Sequence, residues 1–300
     1  MEKGNVVERI GSMFRRRRPA AQLAVAPIPE PVLPPKIGLA LGGGFARGVS
    51  HVGILKALEK ESIPIHCITG VSAGAIVAAA YASGTEPDEI GRIGCAMRFT
   101  DVARWSICRL GLAGSERMER FLHRLLKKFT FEEMEIPLGV LATDLGTGAS
   151  VLFRDSGDVI VPIRASCSYP GLFQPIHHQG RLLVDGAMSM EVPALLARKL
   201  GATHVISVYL PIQGADVEPH NMLQVVNRCF QILQSRTEES WRKHSDVVIV
   251  PEVADVQWDG FENGLRMVEA GEKAALVMMP KIKQWLGPTV ASGEDEPLVA

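Results

Sequence analysis

Residues 67–84 read CITGVSAGAIVAAAYASG. An apolar run, IHCITGVS, leads into the stretch, and a run of small and apolar residues, AGAIVAAAYASG, leaves it. The first reads as a buried strand. The second reads as a helix closed by Gly84. Between them stands Gly70-Val71-Ser72-Ala73-Gly74, a G-x-S-x-G turn. A strand and helix joined so tightly leave little space beside the bend, so its flanks call for glycine and its centre is thrust outward. The free N–H groups and positive dipole end of the helix lie behind that centre. A hydroxyl at such a point is placed to act as a nucleophile. The pattern also fits a glycine-rich turn whose serine caps the helix.

The same order of elements occurs once before. From Lys36, IGLALGG reads as a buried strand without alternation, as in the centre of a parallel sheet. Residues 46–61 follow with helical spacing: Val52, Leu55 and Leu58 share one side, with Val49 at its start. Strand–turn–helix repeated in this way predicts an α/β fold, a parallel sheet with helices packed against it. The two strands are expected as neighbours, which brings both turns to one edge of the sheet.

The first turn is Gly42-Gly43-Gly44-Phe45-Ala46-Arg47-Gly48. Glycines there expose backbone N–H groups able to hold an oxyanion, and Arg47 adds charge nearby. Phosphate-binding alternatives fit poorly. A Walker loop ends in Gly-Lys-Ser/Thr, where this chain has Arg47-Gly48-Val49. A dinucleotide G-x-G-x-x-G has glycine where Arg47 stands.

A serine attacks an ester only with a base beside it. Asp185, in LLVDGA at the end of an apolar strand, can reach the same rim from a strand end. An ordinary Asp-Gly turn is the alternative. No histidine holds so clear a position after a strand. His51 falls in the opening turns of the first helix, and His177-His178 flank a proline-containing loop. No HExxH occurs, and no metal is expected.

Further along, 87–130 reads as helical with a break near SICRLGLAG. PLGVLATDL and ASVLFRD read as a hairpin, and VPIRASCSYPGLF as a helix broken at Pro170-Gly171. VPALLARKLGA (a helix ending at Gly201), the strand THVISVYLP, a long amphipathic helix over 222–244, the strand DVVIVPEV and a helix over 264–286 complete the chain. The long helix could show Leu223, Val226, Phe230, Leu233 and Trp241 to a partner, but core packing explains the stripe more simply. Residues 97–126 are rich in apolar side chains, among them Phe99, Trp105, Met118, Phe121 and Leu122. They suit either a lid or channel wall or ordinary helix packing, and Phe173 is a second candidate wall.

Residues 1–35 read as a basic, proline-rich tail, 36–286 as one domain, and 287–300 as a flexible acidic tail. Val7, Ile10 and Phe14 ahead of Arg15–Arg18 resemble a weak contact for an anionic membrane, with a solvated tail as the alternative. The chain has 47% hydrophobic and 22% charged residues and a net charge of −1, so it offers no general attraction to nucleic acid. Five cysteines without a CxxC spacing argue against a disulfide framework and for a reducing compartment. No apolar run reaches the roughly 18–20 residues of a membrane span, and no signal-peptide pattern is present. Cytoplasmic placement is expected, with peripheral contact at the inner face of the membrane through the tail.

Taken together, Gly42-Gly43-Gly44-x-x-Arg47-Gly48, Gly70-x-Ser72-x-Gly74 and Asp185-Gly186-Ala187 resemble, in order and rough spacing, the motifs of the patatin-like phospholipases. The short bacterial members are the most similar. Smaller matches are His51 with Gly53, Ala142-Thr143-Asp144, and Ser168-x-Pro170-Gly171-x-Phe173-x-Pro175. The resemblance covers roughly residues 36–280. It implies a three-layer α/β/α fold with a mainly parallel central sheet, and hydrolysis of lipid acyl esters by a Ser–Asp dyad without histidine. Ser72 would be the nucleophile and Asp185 its base. Gly42, Gly43, Gly44, Arg47 and Gly48 would form the oxyanion loop, Gly70 and Gly74 the elbow. No cofactor or metal is implied, and the expected partner is a lipid or acyl-ester substrate. A regulatory or adaptor protein on the same fold is the alternative.

Overall fold

In the first strand, β1 (Ile37–Leu41), every residue is buried. Ile37, Leu39 and Leu41 pack into one large apolar cluster, while Ala40 packs into another. A strand whose two faces both enter a core lies between two layers of helices. The computed structural model describes residues 34–211, 218–220 and 222–287. The described residues fall in one unit that begins at Pro34. The tail contact expected around Val7–Arg18 and the acidic residues beyond Gly287 lie outside the described residues.

A short 3-10 turn, Phe45–Val49, runs into α1 (Ser50–Lys60), followed by β2 (Cys67–Gly70) and α2 (Ala73–Ala82). Gly84 closes α2 with φ of +89°, a conformation glycine adopts without strain. Next come α3 (Pro87–Ala96), α4 (Phe99–Val102), β3 (Arg104–Cys108), β4 (Gly111–Gly114) and α5 (Glu116–Leu125). The break near SICRLGLAG is therefore a small antiparallel hairpin of its own, β3 with β4. The chain continues through β5 (Leu138–Asp144), β6 (Ser150–Phe153), α6 (Ile160–Ser166), β7 (Ile176–His178) and β8 (Arg181–Asp185). It ends with α7 (Ala194–Lys199), β9 (His204–Val208), α8 (Met222–Arg242), β10 (Val247–Ile249) and α9 (Gly264–Lys283).

The sheet runs β10-β9-β1-β2-β5-β8-β7, with β6 also on β5. The strands from β10 to β5 are mutually parallel, and β1 and β2 are neighbours in register Leu41↔Gly70. Strands β6, β7 and β8 are antiparallel to their partners. One face carries the bulky side chains and is covered by α1, α2 and α9. The other carries small ones, Gly38, Ala40 and Cys67, under α7 and Trp241 of α8. Helices α1 and α9 touch at the backbone: a Cβ on Gly53 would lie 1.9 Å from the Val268 carbonyl oxygen, and one on Gly271 2.0 Å from that of Ser50.

Strand β5 holds β2 at Leu138–Val140 and β8 at Ala142–Asp144. Strand β6 pairs across Val140–Thr143 and so occupies the opposite edge. Strands β2 and β8 therefore share one edge of β5, end to end. Strand β2 stops at Gly70, and β8, running the other way, stops at Asp185 just beyond it.

Of the apolar region 97–126, Met118, Phe121 and Leu122 are core residues. Trp105 stays largely exposed. No helix of the described residues is long and apolar enough to cross a membrane.

Candidate active site

Strand β2 ends at Gly70, and the backbone then turns sharply into α2. Ser72 sits at the bend with φ +53° and ψ −126°, a conformation that costs a non-glycine residue roughly 1–3 kcal/mol. The neighbours permit no alternative. A Cβ on Gly70 would lie 2.4 Å from the Gly74 carbonyl oxygen, and one on Gly74 2.3 Å from that of Leu41. Val71 N–H donates to Leu41 O at 3.1 Å, tying the elbow to β1. Ser72 N–H donates to the Ser166 hydroxyl at 2.9 Å, inside the fold. Both glycines expected for the elbow are thus required by the space around it.

Asp185 arrives from the opposite direction, at the end of β8. It is 1% exposed. Its N–H donates to Ser168 O at 2.9 Å, and its Oδ1 accepts from Ala187 N–H at 2.9 Å. The Ser72 hydroxyl favours its ionised form. Oδ2 nevertheless has no partner of good hydrogen-bond geometry. Gly186 makes the approach feasible, since a Cβ there would fall 2.6 Å from Val71 Cγ2 of the elbow. Burial raises the Asp185 carboxyl to a pKa of about 7, against the bonds from Ala187 and Ser72 that lower it.

The glycine loop borders the same point. Gly43 is next to Ser72: a Cβ on it would lie 3.3 Å from Ser72 Cβ. Its N–H makes only a long contact, 3.4 Å, to Glu191 O. The Gly44 N–H has no acceptor among the described residues. Gly42 differs from the expectation of an oxyanion donor. Its N–H is committed to Val208 O at 3.0 Å, extending the sheet. Gly48 is a packing glycine, because a Cβ would lie 2.6 Å from Ala73 Cβ. Arg47 is buried, and its guanidinium donates to Gly44 O and Pro211 O, so it braces the loop. Burial lowers its pKa to about 10, with Glu191, Tyr209 and Tyr169 opposing, and it stays cationic near neutral pH.

His51 is fully buried, and its Nε2 lies 2.9 Å from Gly42 O. A carbonyl only accepts, so Nε2 carries the proton. Burial pushes this imidazole down to a pKa of about 4. It is a neutral brace beneath the loop, with its Nδ1 unpaired. No histidine hydrogen-bonds Ser72 or Asp185 among the described residues.

Two further residues support the pair, Ser166 at the C-terminal end of α6 and Ser168 just beyond it. One holds the N–H of Ser72 and the other that of Asp185. The motif beginning at Ser168 signalled the second; nothing in the sequence marked the first.

Among the described residues, no group of three or more His, Cys, Asp or Glu side chains is arranged to hold a metal ion. A surface hollow of about 710 Å³, lined by Glu252, Asp255, Arg266, Glu269 and Lys273 among others, includes neither Ser72 nor Asp185. Its charges pair with each other, Arg266 with Asp255 at 2.7 Å and Lys273 with Glu252 at 3.7 Å.

An uncharacterized NTE family protein of Mycobacterium tuberculosis is 32% identical over 201 residues, covering 65% of this chain and 55% of that protein. Lysophospholipase NTE1 of Mycosarcoma maydis is 28% identical over 229 residues, 74% of this chain and 12% of that one. Neuropathy target esterase sws of Drosophila melanogaster is 27% identical over 231 residues, 74% and 16%. The chain thus spans about half the length of the mycobacterial relatives and a small part of the eukaryotic ones. Its fold is similar to that of VipD from Legionella pneumophila, with a TM-score of 0.55, 14% identity and coverage of 83% and 67%. The sequence model described as Patatin-like phospholipase matches residues 39–198, more than half of the chain, and the protein belongs to that family.

Proposed function

We propose that this protein is a serine hydrolase of lipid acyl esters, a phospholipase A or lysophospholipase, with Ser72 as nucleophile and Asp185 as base. The observation that carries the reading is the buried Asp185, unpaired at Oδ2, raised to a pKa of about 7 and adjacent to a strained serine. A carboxylate at its ordinary pKa of about 3.9 is a weak base at neutral pH, and one near 7 suits general-base work.

In the first step Ser72 Oγ attacks the ester carbonyl while its proton passes to Asp185 Oδ2. The carbonyl oxygen becomes an oxyanion, held by the N–H groups of Gly44 and Gly43. The C–O bond to the alcohol breaks, and the leaving oxygen takes the proton from Asp185. Water then attacks the acyl-enzyme, giving a proton to Asp185. Collapse releases the fatty acid and returns the proton to Ser72. Each oxyanion donor is worth roughly 10²–10³ in rate.

An acyl chain needs an apolar wall. Phe45, directly after Gly44, packs on Tyr169 and Trp258, and Phe99 packs on Trp258 and Phe173. These rings form the acyl wall beside the loop. Two relatives bear the names lysophospholipase and esterase, which favours a lysolipid or phospholipid substrate. Residues 36–286 make up the hydrolase domain. No observation favours a purely regulatory role for the same fold. Release of fatty acid from a lysophospholipid, measured for the native chain, Ser72→Ala and Asp185→Asn, tests the reading. Activity that survives both substitutions contradicts it.

A further inference from the structure

Helix α8 has two faces of opposite character. Asn227, Phe230, Gln234 and Trp241 point inward. The Tyr169 hydroxyl donates to Asn227 Oδ1 at 2.6 Å, Phe230 packs on Tyr169, Gln234 donates to Ala187 O at 3.3 Å, and Trp241 is fully buried. Met222, Val225, Val226, Ile232 and Leu233 are exposed, Met222 at 83% and Leu233 at 58%. Their spacing places all five within an arc of about 120° at 3.6 residues per turn. Of the stripe weighed between a partner surface and core packing, Phe230 and Trp241 turn inward, while Val226 and Leu233 face solvent.

Charge sharpens the picture. Helix α8 carries Arg228, Arg236 and Arg242 against Glu238 and Glu239, and Arg242 is paired with Glu238. The hairpin of β3 and β4 has the same chemistry: Arg104, Arg109, Trp105 at 58% exposure, and no acidic residue. Both elements rest on one loop. Leu112 and Ala113 N–H groups donate to Leu172 O, and Tyr169 bonds to α8. That loop also supplies the Ser168 carbonyl that holds Asp185.

We infer that the outer face of α8, together with the Trp105 hairpin, docks the protein on an anionic lipid bilayer. Exposed apolar side chains interspersed with arginines that outnumber the acids match such a surface. The opposite face of the same helix packs on the loop that holds the candidate base. The choice of lipid as partner rests on the hydrolase reading above.

The test is vesicle co-sedimentation of the full chain carrying Ser72→Ala, so that no lipid is consumed. Vesicles are phosphatidylcholine alone or mixed with phosphatidylglycerol. Binding to the mixed vesicles is expected. Val225→Glu with Leu233→Glu should weaken it by at least about tenfold. Arg228→Gln and Arg236→Gln should each weaken it about fivefold on the anionic vesicles only. All four positions are at the surface, and circular dichroism checks that each variant is folded. Failure of the native surface to bind, or binding unchanged in the substituted chains, overturns the inference. So does a change of oligomeric state with unchanged vesicle binding, which makes the face a contact between copies. With Ser72 restored, hydrolysis of a soluble short-chain ester should be the same in these variants. Vesicle binding without any ester hydrolysis would contradict the hydrolase reading and leave the docking face standing.

Discussion

The backbone N–H of Ser72 donates a 2.9 Å hydrogen bond to the side-chain oxygen of Ser166, which is fully buried. Two residues later the carbonyl of Ser168 accepts the N–H of Asp185 at 2.9 Å. A three-residue stretch therefore fixes the spacing of two groups that the chain brings from positions far apart.

Ser166→Ala removes the acceptor and leaves a buried N–H unpaired, at a cost of about 1–3 kcal/mol. The strained Ser72 backbone is then less tightly held. Steady-state kinetics should show kcat reduced roughly 10- to 100-fold with KM little changed, as expected when positioning is lost and substrate binding is not. Equal kcat in the variant would show that the elbow needs no such support.

Asp185 acts as a base only when ionised. With its pKa raised to about 7 by burial, kcat/KM should rise about tenfold per pH unit below 7 and level off above it. The imidazole of His51, held down to about 4, stays neutral over this range. A pH–rate profile of His51→Gln should therefore keep the same inflection at lower amplitude. Movement of the inflection in that variant would assign it to the histidine.

The same raised pKa has a cost in stability. Protonated Asp185 suits its buried site, and the ionised form does not. The contribution is least unfavourable below the ordinary carboxylate pKa of about 3.9. It worsens as the pH rises towards about 7 and is constant above. At about 1.4 kcal/mol for each pKa unit the ceiling is roughly 4 kcal/mol. Asp185→Asn should raise Tm relative to the native chain at pH 8, with the difference shrinking towards pH 4. Thermal unfolding at the two pH values checks this, and a difference independent of pH would contradict it.

Two glycines separate activity from folding. A methyl at Gly43 meets Ser72 Cβ at 3.3 Å, and a small shift relieves it. Gly43→Ala should fold normally and lose about 10²-fold in kcat by disturbing the loop that holds the oxyanion. A methyl at Gly74 meets the Leu41 and Gly42 carbonyl oxygens at 2.3 and 2.6 Å, where no flexible side chain can yield. Gly74→Ala should be strongly destabilised, visible as a drop in Tm or loss of soluble protein.

Much of this arrangement was legible in the chain. The fully buried β1 and β2, the glycines between each strand and its helix, and their shared edge all follow from local constraints on strands and sharp turns. The orientation of β8 was not legible. Its apolar run, RLLVD, resembles a parallel strand, and only its pairing with the overhang of β5 shows that Asp185 reaches the rim from the other side. The β3–β4 hairpin was missed because its turn, Arg109-Leu110, lacks the glycine or asparagine that usually marks one. Gly42 looked equivalent to Gly43 and Gly44 because sequence does not say which N–H the sheet takes. Ser166 was invisible for a similar reason: a serine in a short helix has many ordinary roles, and its partner is 94 residues away.

The central claim is that Asp185 activates Ser72. A fluorophosphonate probe, followed by peptide mass spectrometry across pH 5–9, measures this directly. The account predicts one modified residue, Ser72, labelled at a rate that climbs through pH 7, with no label in Ser72→Ala and labelling slowed at least about 10²-fold in Asp185→Asn. Label on another residue, or Asp185→Asn reacting as fast as the native chain, would contradict it.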